Sequence, residues 1–271
     1  METGRSEITT IDHVIDELGR IVGECEKHHD PCGYFAALYQ KVTIRVKEGI
    51  LNGYFDDGAR MAELDVIFAL RYIDAYYAWK RNGEITASWQ RVFESSIRYW
   101  PVVFQHLLLG MNAHINLDLA IAAAEVSKGK NIQHLKKDFV RINEILSSLV
   151  VDVQQNLSAI WPTLTKILRL SGKVDDFMVD FSMKLARNGA WRHACLLAEC
   201  KPDDLHNLML ERDKKVSRKA NLITGPGFIG TLVFSIIRLG ERGSVAEKIA
   251  HLKYKILKEK TPATASVQSR R

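Results

Sequence analysis

The segment from Phe104 to Glu125, FQHLLLGMNAHINLDLAIAAAE, constrains the chain most: it is an apolar stretch into which Gln105, His106, Asn112, His114, Asn116 and Asp118 are set. At about 100° per residue, with Asn112 at zero, Gln105 falls near 20° and Asn116 near 40°, while His106 falls near 120°, His114 near 200° and Asp118 near 240°. A continuous helix therefore carries polar stripes on nearly opposite sides of an otherwise apolar cylinder. Such a helix has no face to give to water and must be wrapped by the rest of the chain, unless Gly110 breaks it and redirects its second part. Burying an amide, imidazole or carboxylate costs several kcal/mol unless a partner satisfies it, so these polar groups mark either tight packing bonds or a ligand site.

The rest of the sequence supplies the wrapping. Apolar residues recur at spacings of three and four almost throughout, and alternation of period two is nearly absent, which predicts an all-α fold. Helices are expected over about 9–28, 33–50, 58–81, 86–98, 101–126, 132–170, 174–199, 203–222, 227–240 and 243–258. Their ends have local causes. Asp30-Pro31-Cys32-Gly33 separates the first two, Arg81-Asn82-Gly83 closes the third, Asp56 and Asp57 form an N-cap pair before Gly58, and Thr86 or Ser88 caps the fourth. Pro162 should kink or split the long sixth helix. Thr224-Gly-Pro-Gly-Phe-Ile-Gly230 looks like a phosphate loop but follows a basic helical segment rather than a strand, so it reads as a helix–helix turn. The reading is one helical domain over 1–257 with a buried central helix at about 101–126, followed by a disordered basic tail over 258–271.

Composition then excludes several classes. With 46% hydrophobic and 26% charged residues, 6 Pro and 17 Gly, the chain is neither collagen-like nor wholly disordered. Residues 1–127 carry 12 Lys/Arg against 18 Asp/Glu and residues 128–271 carry 26 against 14, so the net charge of +6 is a balance of −6 and +12 that switches at Ser127-Lys128-Gly129-Lys130-Asn131. The basic residues lie at helical spacing without interleaved aromatics, so nucleic acid is not an expected partner. Four cysteines are too few for a disulfide framework. The N-terminus lacks an apolar signal region, and the runs Pro101 to Gly110 and Phe228 to Ile237 fall short of a membrane span. These features predict a cytoplasmic protein without a transmembrane segment.

Within the central segment, His114 and Asp118 stand at i, i+4, which places an imidazole and a carboxylate on one helical face. This pair suits two roles. Both side chains can ligate a single divalent ion, Zn, Mn or Fe, with Asp65, or else Asp56 or His106, as a third ligand, the ion then lowering the pKa of a bound water for hydrolysis. Alternatively Asp118 orients His114 as a general base for isomerisation, cyclisation or lyase chemistry without metal. Asn112, Asn116, Arg71 and His106 are the candidate substrate-binding residues, and the expected partner is a small molecule. A non-catalytic binding or scaffold protein, in which the polar stripes only fix helix register, is the rival reading. Asp65 has its own bland reading as a salt-bridge partner of Arg71 or of a neighbouring helix.

GYFDD (53–57), LDVIFALRYIDAYYAW (64–79), SWQRVF (88–93), HLLLGMNAHINLDLA (106–120), DFVRIN (138–143) and ARNGAWRHA (186–194) together resemble a bacterial and fungal family of helical proteins of unknown function. The resemblance covers about 33–197 and implies a helical domain with a shared polar centre, and no particular reaction. A weaker and partial resemblance is to the zinc-dependent phospholipase C and P1 nuclease fold, where His and Asp on helices bind a metal cluster; Met111 stands where those enzymes place a carboxylate.

Overall fold

A computed structural model describes residues 8–142, 145 and 183–253. The described residues form helices and no strands, as the periodicity predicts. In chain order the helices are α1 (Ile11–Lys27), α2 (Cys32–Leu51), α3 (Gly58–Lys80), α4 (Ala87–Ser96), α5 (Val103–Ala113), a π-helical turn (His114–Asp118), α6 (Leu119–Val126), a 3-10 turn (Ile132–Leu135), α7 (Met183–Glu199), α8 (Pro202–Thr224), α9 (Gly227–Gly240) and α10 (Val245–Lys253). The expected kink at Pro162, the middle of the long 132–170 helix and the tail from 258 lie outside the described residues.

The helix starts follow the local chemistry of the sequence. Thr10, Asp57 and Thr86 accept hydrogen bonds from the backbone of His13, Arg60 and Trp89, satisfying one free amide at the head of α1, α3 and α4. Two carboxylates from the second half of the chain complete this work at long range. Asp138 accepts the Asp56 and Asp57 amides at 2.8 and 2.9 Å, ahead of α3. Asp213 of α8 accepts the Ala87 and Ser88 amides at 2.7 and 2.9 Å, at the start of α4. Both sit where the helix dipole favours a negative charge. Asp56 is thus not a cap; its side chain pairs with Lys137 and Arg141.

Residues Val103–Val126 run as one 24-residue helix through α5, the π-turn and α6, and α2, α3, α4, α7 and α8 pack around it. This helix is long and apolar enough to cross a membrane, and 89% of its most apolar window is buried inside the fold. Gly110 does not break it. A Cβ at Gly110 would meet the Phe35 ring at 2.4 Å, so the glycine lets α2 approach closely instead of redirecting the chain. The interruption comes four residues later, where the Leu119 N–H reaches back to the His114 carbonyl, an i→i+5 bond that inserts one extra residue into the turn.

The core is continuous from α1 through α5, with Trp89, Tyr72, Tyr76 and Phe93 its largest fully buried side chains. All four cysteines are free thiols. By contrast α9 buries only Ile237 and leaves Phe228, Ile229, Leu232, Ile236 and Leu239 exposed.

Candidate functional site

The π-turn carries three of the residues that the sequence singles out, His114, Asn116 and Asp118, and the structure divides the polar residues of the central helix between its two sides. On the α8 side, Gln105 donates to the Ile223 carbonyl at 2.7 Å and Asn112 to the Val216 carbonyl at 3.0 Å. Asn116 donates to Asn112 Oδ1 at 3.2 Å, and its own carbonyl, in the π-turn, accepts from Arg212 Nε at 2.7 Å. These amides bind the backbone of α8 and each other. Asn112 and Asn116, expected to hold substrate, thus give their amide hydrogens to the Val216 carbonyl and to Asn112 Oδ1, and neither residue lines the large cleft described below.

On the α3 side, Asp118 is wholly buried and its oxygens collect three donors. Arg71 Nε donates to Oδ1 at 2.9 Å, and Trp89 Nε1 and His114 Nδ1 lie 2.8 and 3.2 Å from Oδ2. Facing a carboxylate, Nδ1 carries the imidazole proton, which leaves Nε2 as a bare lone pair. That nitrogen is buried with no partner in the protein. The ring is caged by aromatics: Phe68 stacks on it at 3.6 Å between centroids and 9° between planes, and Tyr39 meets it edge-on at 4.3 Å. Burial pulls the His114 pKa below its ordinary value, against the upward pull of Asp118, so the imidazole is held neutral.

Beside this cage lie further buried oxygens without a hydrogen-bond partner, namely the hydroxyls of Tyr39, Thr43 and Tyr72 and Asp65 Oδ2. Burial alone pushes the Asp65 carboxyl up to about 8, so Asp65 is protonated at neutral pH. The salt bridge expected between Asp65 and Arg71 is not formed; Arg71 pairs with Asp118, one side chain that sequence spacing cannot choose over the other. His106, also expected near the pocket, points elsewhere. Its Nδ1 meets Ser95 Oγ at 3.2 Å, while that hydroxyl donates to the Val92 carbonyl, and burial draws the imidazole down to about 4.

The donor set does not suit a metal ion. Among the described residues no three His, Cys, Asp or Glu side chains form a group that could hold one, and His114, Asp118 and Asp65 do not converge. Asp118 already faces a guanidinium, an indole N–H and an imidazole N–H, a surrounding that repels a cation.

Asp118 meets the outside through Arg71, whose side chain is partly exposed. Arg71, Trp89 and Asp118 lie in the lining of an open cleft of about 1210 Å³ between α1, α3, the central helix and α8. Leu70, Leu117, Ile121 and Met209 give this cleft an apolar wall, and Glu17, whose Oε1 accepts from the Tyr77 hydroxyl at 2.5 Å, lies at its edge. His114, Asn112, Asn116, His106 and Asp65 do not line it. Sequence reasoning missed Trp89, Phe68 and Tyr39. Only the indole gave a signal, since a buried Trp N–H needs an acceptor.

Residues 11–226 match a family of unknown function, DUF5995. The match contains the whole polar centre and every lining residue of the cleft but Ile8, and ends at the turn before α9. No curated protein and no solved structure matches the chain, and nothing found supports the partial likeness to phospholipase C and P1 nuclease.

Proposed function

The chain belongs to the DUF5995 family of unknown function, and we propose that it binds a small organic acid in the Arg71 cleft. The observation that carries this reading is the clamp on Arg71: Asp118, buried and fixed by Trp89 and His114, takes the Nε proton and holds the guanidinium at the cleft floor with its side chain 23% exposed. Arg71 thereby retains Nη donors, which suit a carboxylate in paired geometry. The apolar wall from Leu117, Ile121 and Met209 suits the hydrophobic body of such an acid.

The test is isothermal titration with octanoate, benzoate and octanol. The carboxylates are expected to bind, octanol more weakly, and Arg71→Met to remove the preference for the acid while leaving octanol unchanged. Equal binding of acid and alcohol by the wild type would overturn the assignment.

A second reading, acid–base catalysis, draws on one observation: the neutral His114 imidazole, with Nδ1 held by Asp118 and Nε2 unpartnered, is a base awaiting a proton. Because Nε2 is sealed from the cleft, this chemistry requires Phe68 or Tyr39 to move. Metal-assisted hydrolysis receives no support from the donor geometry.

A further inference from the structure

A separate group of cations gathers where α7 meets α8, and none of its members lines the Arg71 cleft. Arg212, Lys215 and Lys219 of α8 stand at i, i+3 and i+7, one helical face. On α7, Gly189 and His193 stand at i and i+4, and Arg192 is adjacent. The two faces touch: Arg212 Nη2 lies 3.4 Å from where a Cβ on Gly189 would stand. Arg212 is aimed by its other nitrogen, whose hydrogen bond to the Asn116 carbonyl at 2.7 Å ties the guanidinium to the π-turn.

What this group lacks is a counter-charge. Among the described residues, no carboxylate pairs with Arg192, Arg212, Lys215 or Lys219, whereas Asp30, Asp56, Asp118 and Asp213 each have a cation or a helix start as partner. His193 is 9% exposed, and its buried Nε2 has no hydrogen-bond partner. The electrostatic strain is mutual. Burial first, then Arg212 and Lys215, draw His193 down to about 4. Burial and then Arg192 depress Arg212, and burial and then Arg212 depress Lys219. Like charges crowded around the partly buried Arg212 and an orphaned ring nitrogen are each unfavourable, and one multivalent anion would relieve both together.

We propose that the α7–α8 junction is a binding site for a phosphate group, with the Arg212 Nη atoms and His193 Nε2 as inner donors and Arg192, Lys215 and Lys219 as the outer cations. A phosphate carries up to two charges and several acceptor oxygens, which matches a guanidinium fork and surrounding cations better than a monovalent carboxylate does. The source is either free inorganic phosphate or the phosphate of a small monoester, and the same donors serve both.

The experiment is calorimetric titration of the full chain at neutral pH and constant ionic strength with inorganic phosphate, glycerol phosphate and chloride. Saturable one-to-one binding of the first two and none of chloride is expected. Tighter binding of glycerol phosphate would identify a monoester as the source, and equal or weaker binding the free ion. The Lys215→Met, Lys219→Met double variant, altered only at exposed positions, is expected to bind phosphate weaker by about tenfold or more. Arg71→Met should bind it as wild type does, which separates this site from the cleft. Phosphate is also expected to shift the His193 ring-nitrogen resonances. Unsaturable heats, heats matched by chloride, or unchanged affinity in the double lysine variant would overturn the proposal.

Discussion

On the α8 side of the central helix, Gln105 and Asn112 give their amide hydrogens to the Ile223 and Val216 carbonyls, whereas on the α3 side His114 and Asp118 form a pair with a bare ring nitrogen at one end and Arg71 at the other. Both sides are apolar helix surface interrupted by polar residues. They differ in what remains after packing. The amide side joins two helices: Gln105 and Asn112 donate to α8 and Asn116 to Asn112, which leaves Asn116 Oδ1 as the unmatched atom of this group. The imidazole side keeps unmatched atoms in the Tyr39, Thr43, Asp65 and His114 group and a guanidinium facing an open cleft. Polar residues in a core are thus not equivalent as functional evidence; those with unused valences carry the argument.

That contrast can be broken by substitution. The largest effect is expected for Asp118→Ala, which strands a guanidinium, an indole N–H and an imidazole N–H and should cost about 3–5 kcal/mol in urea denaturation. Asn112→Ala, on the amide side, leaves the buried Val216 carbonyl without its donor and should cost about 1–3 kcal/mol. If Asn112→Ala were instead silent in stability and altered ligand binding, the division between the two sides would fail.

Asp65 gives a pH signature of the unmatched side. Its folded value of about 8 lies above the ordinary 3.8, so the folded chain holds a proton that the unfolded chain releases. Stability contributed in this way is full at low pH and is lost as pH rises toward 8. His106 runs in the opposite sense: drawn down to about 4 from 6.5, it costs stability as pH falls through that interval. Between about pH 6.5 and 8 the Asp65 slope stands clear of His106, and wild-type stability should fall by about 1–2 kcal/mol while Asp65→Asn shows no such fall. Denaturation midpoints across that window measure it. The smallest effect is expected for His114→Phe. It keeps a ring against Phe68 and removes an orphaned nitrogen, so its cost should stay below about 1 kcal/mol, the mark of a residue held for chemistry more than for packing.

Much of this architecture was legible in the sequence. Periodicity of three and four gave the helices, and Thr86, Asp57 and the Arg81-Asn82-Gly83 stop follow from capping and left-handed backbone, Asn82 having φ of +54°. Helical angles alone already put Asn112 and Asp118 on different sides. The structure follows those angles: Asn112 and Asn116 lie on the α8 side, and His114 and Asp118 on the α3 side. Two features had no local signal. The π-turn depends on what surrounds His114 to Asp118, and the partners of Arg71, Gln105 and Asn112 are chosen by three-dimensional neighbours 47 to 118 residues away.

The two carboxylates seated on helix starts, Asp138 ahead of α3 and Asp213 on α4, bear on how the molecule tolerates cutting. Residues before Ser127 cannot finish two of their own helix ends without atoms supplied from beyond it, and the acidic and basic halves attract each other. A nick in the Lys128-Gly129-Lys130 loop should therefore yield two pieces that stay associated and reassemble from separate expression, while neither alone stays soluble and folded. Fragment complementation thus becomes a direct probe of how strongly those borrowed carboxylates hold the halves together.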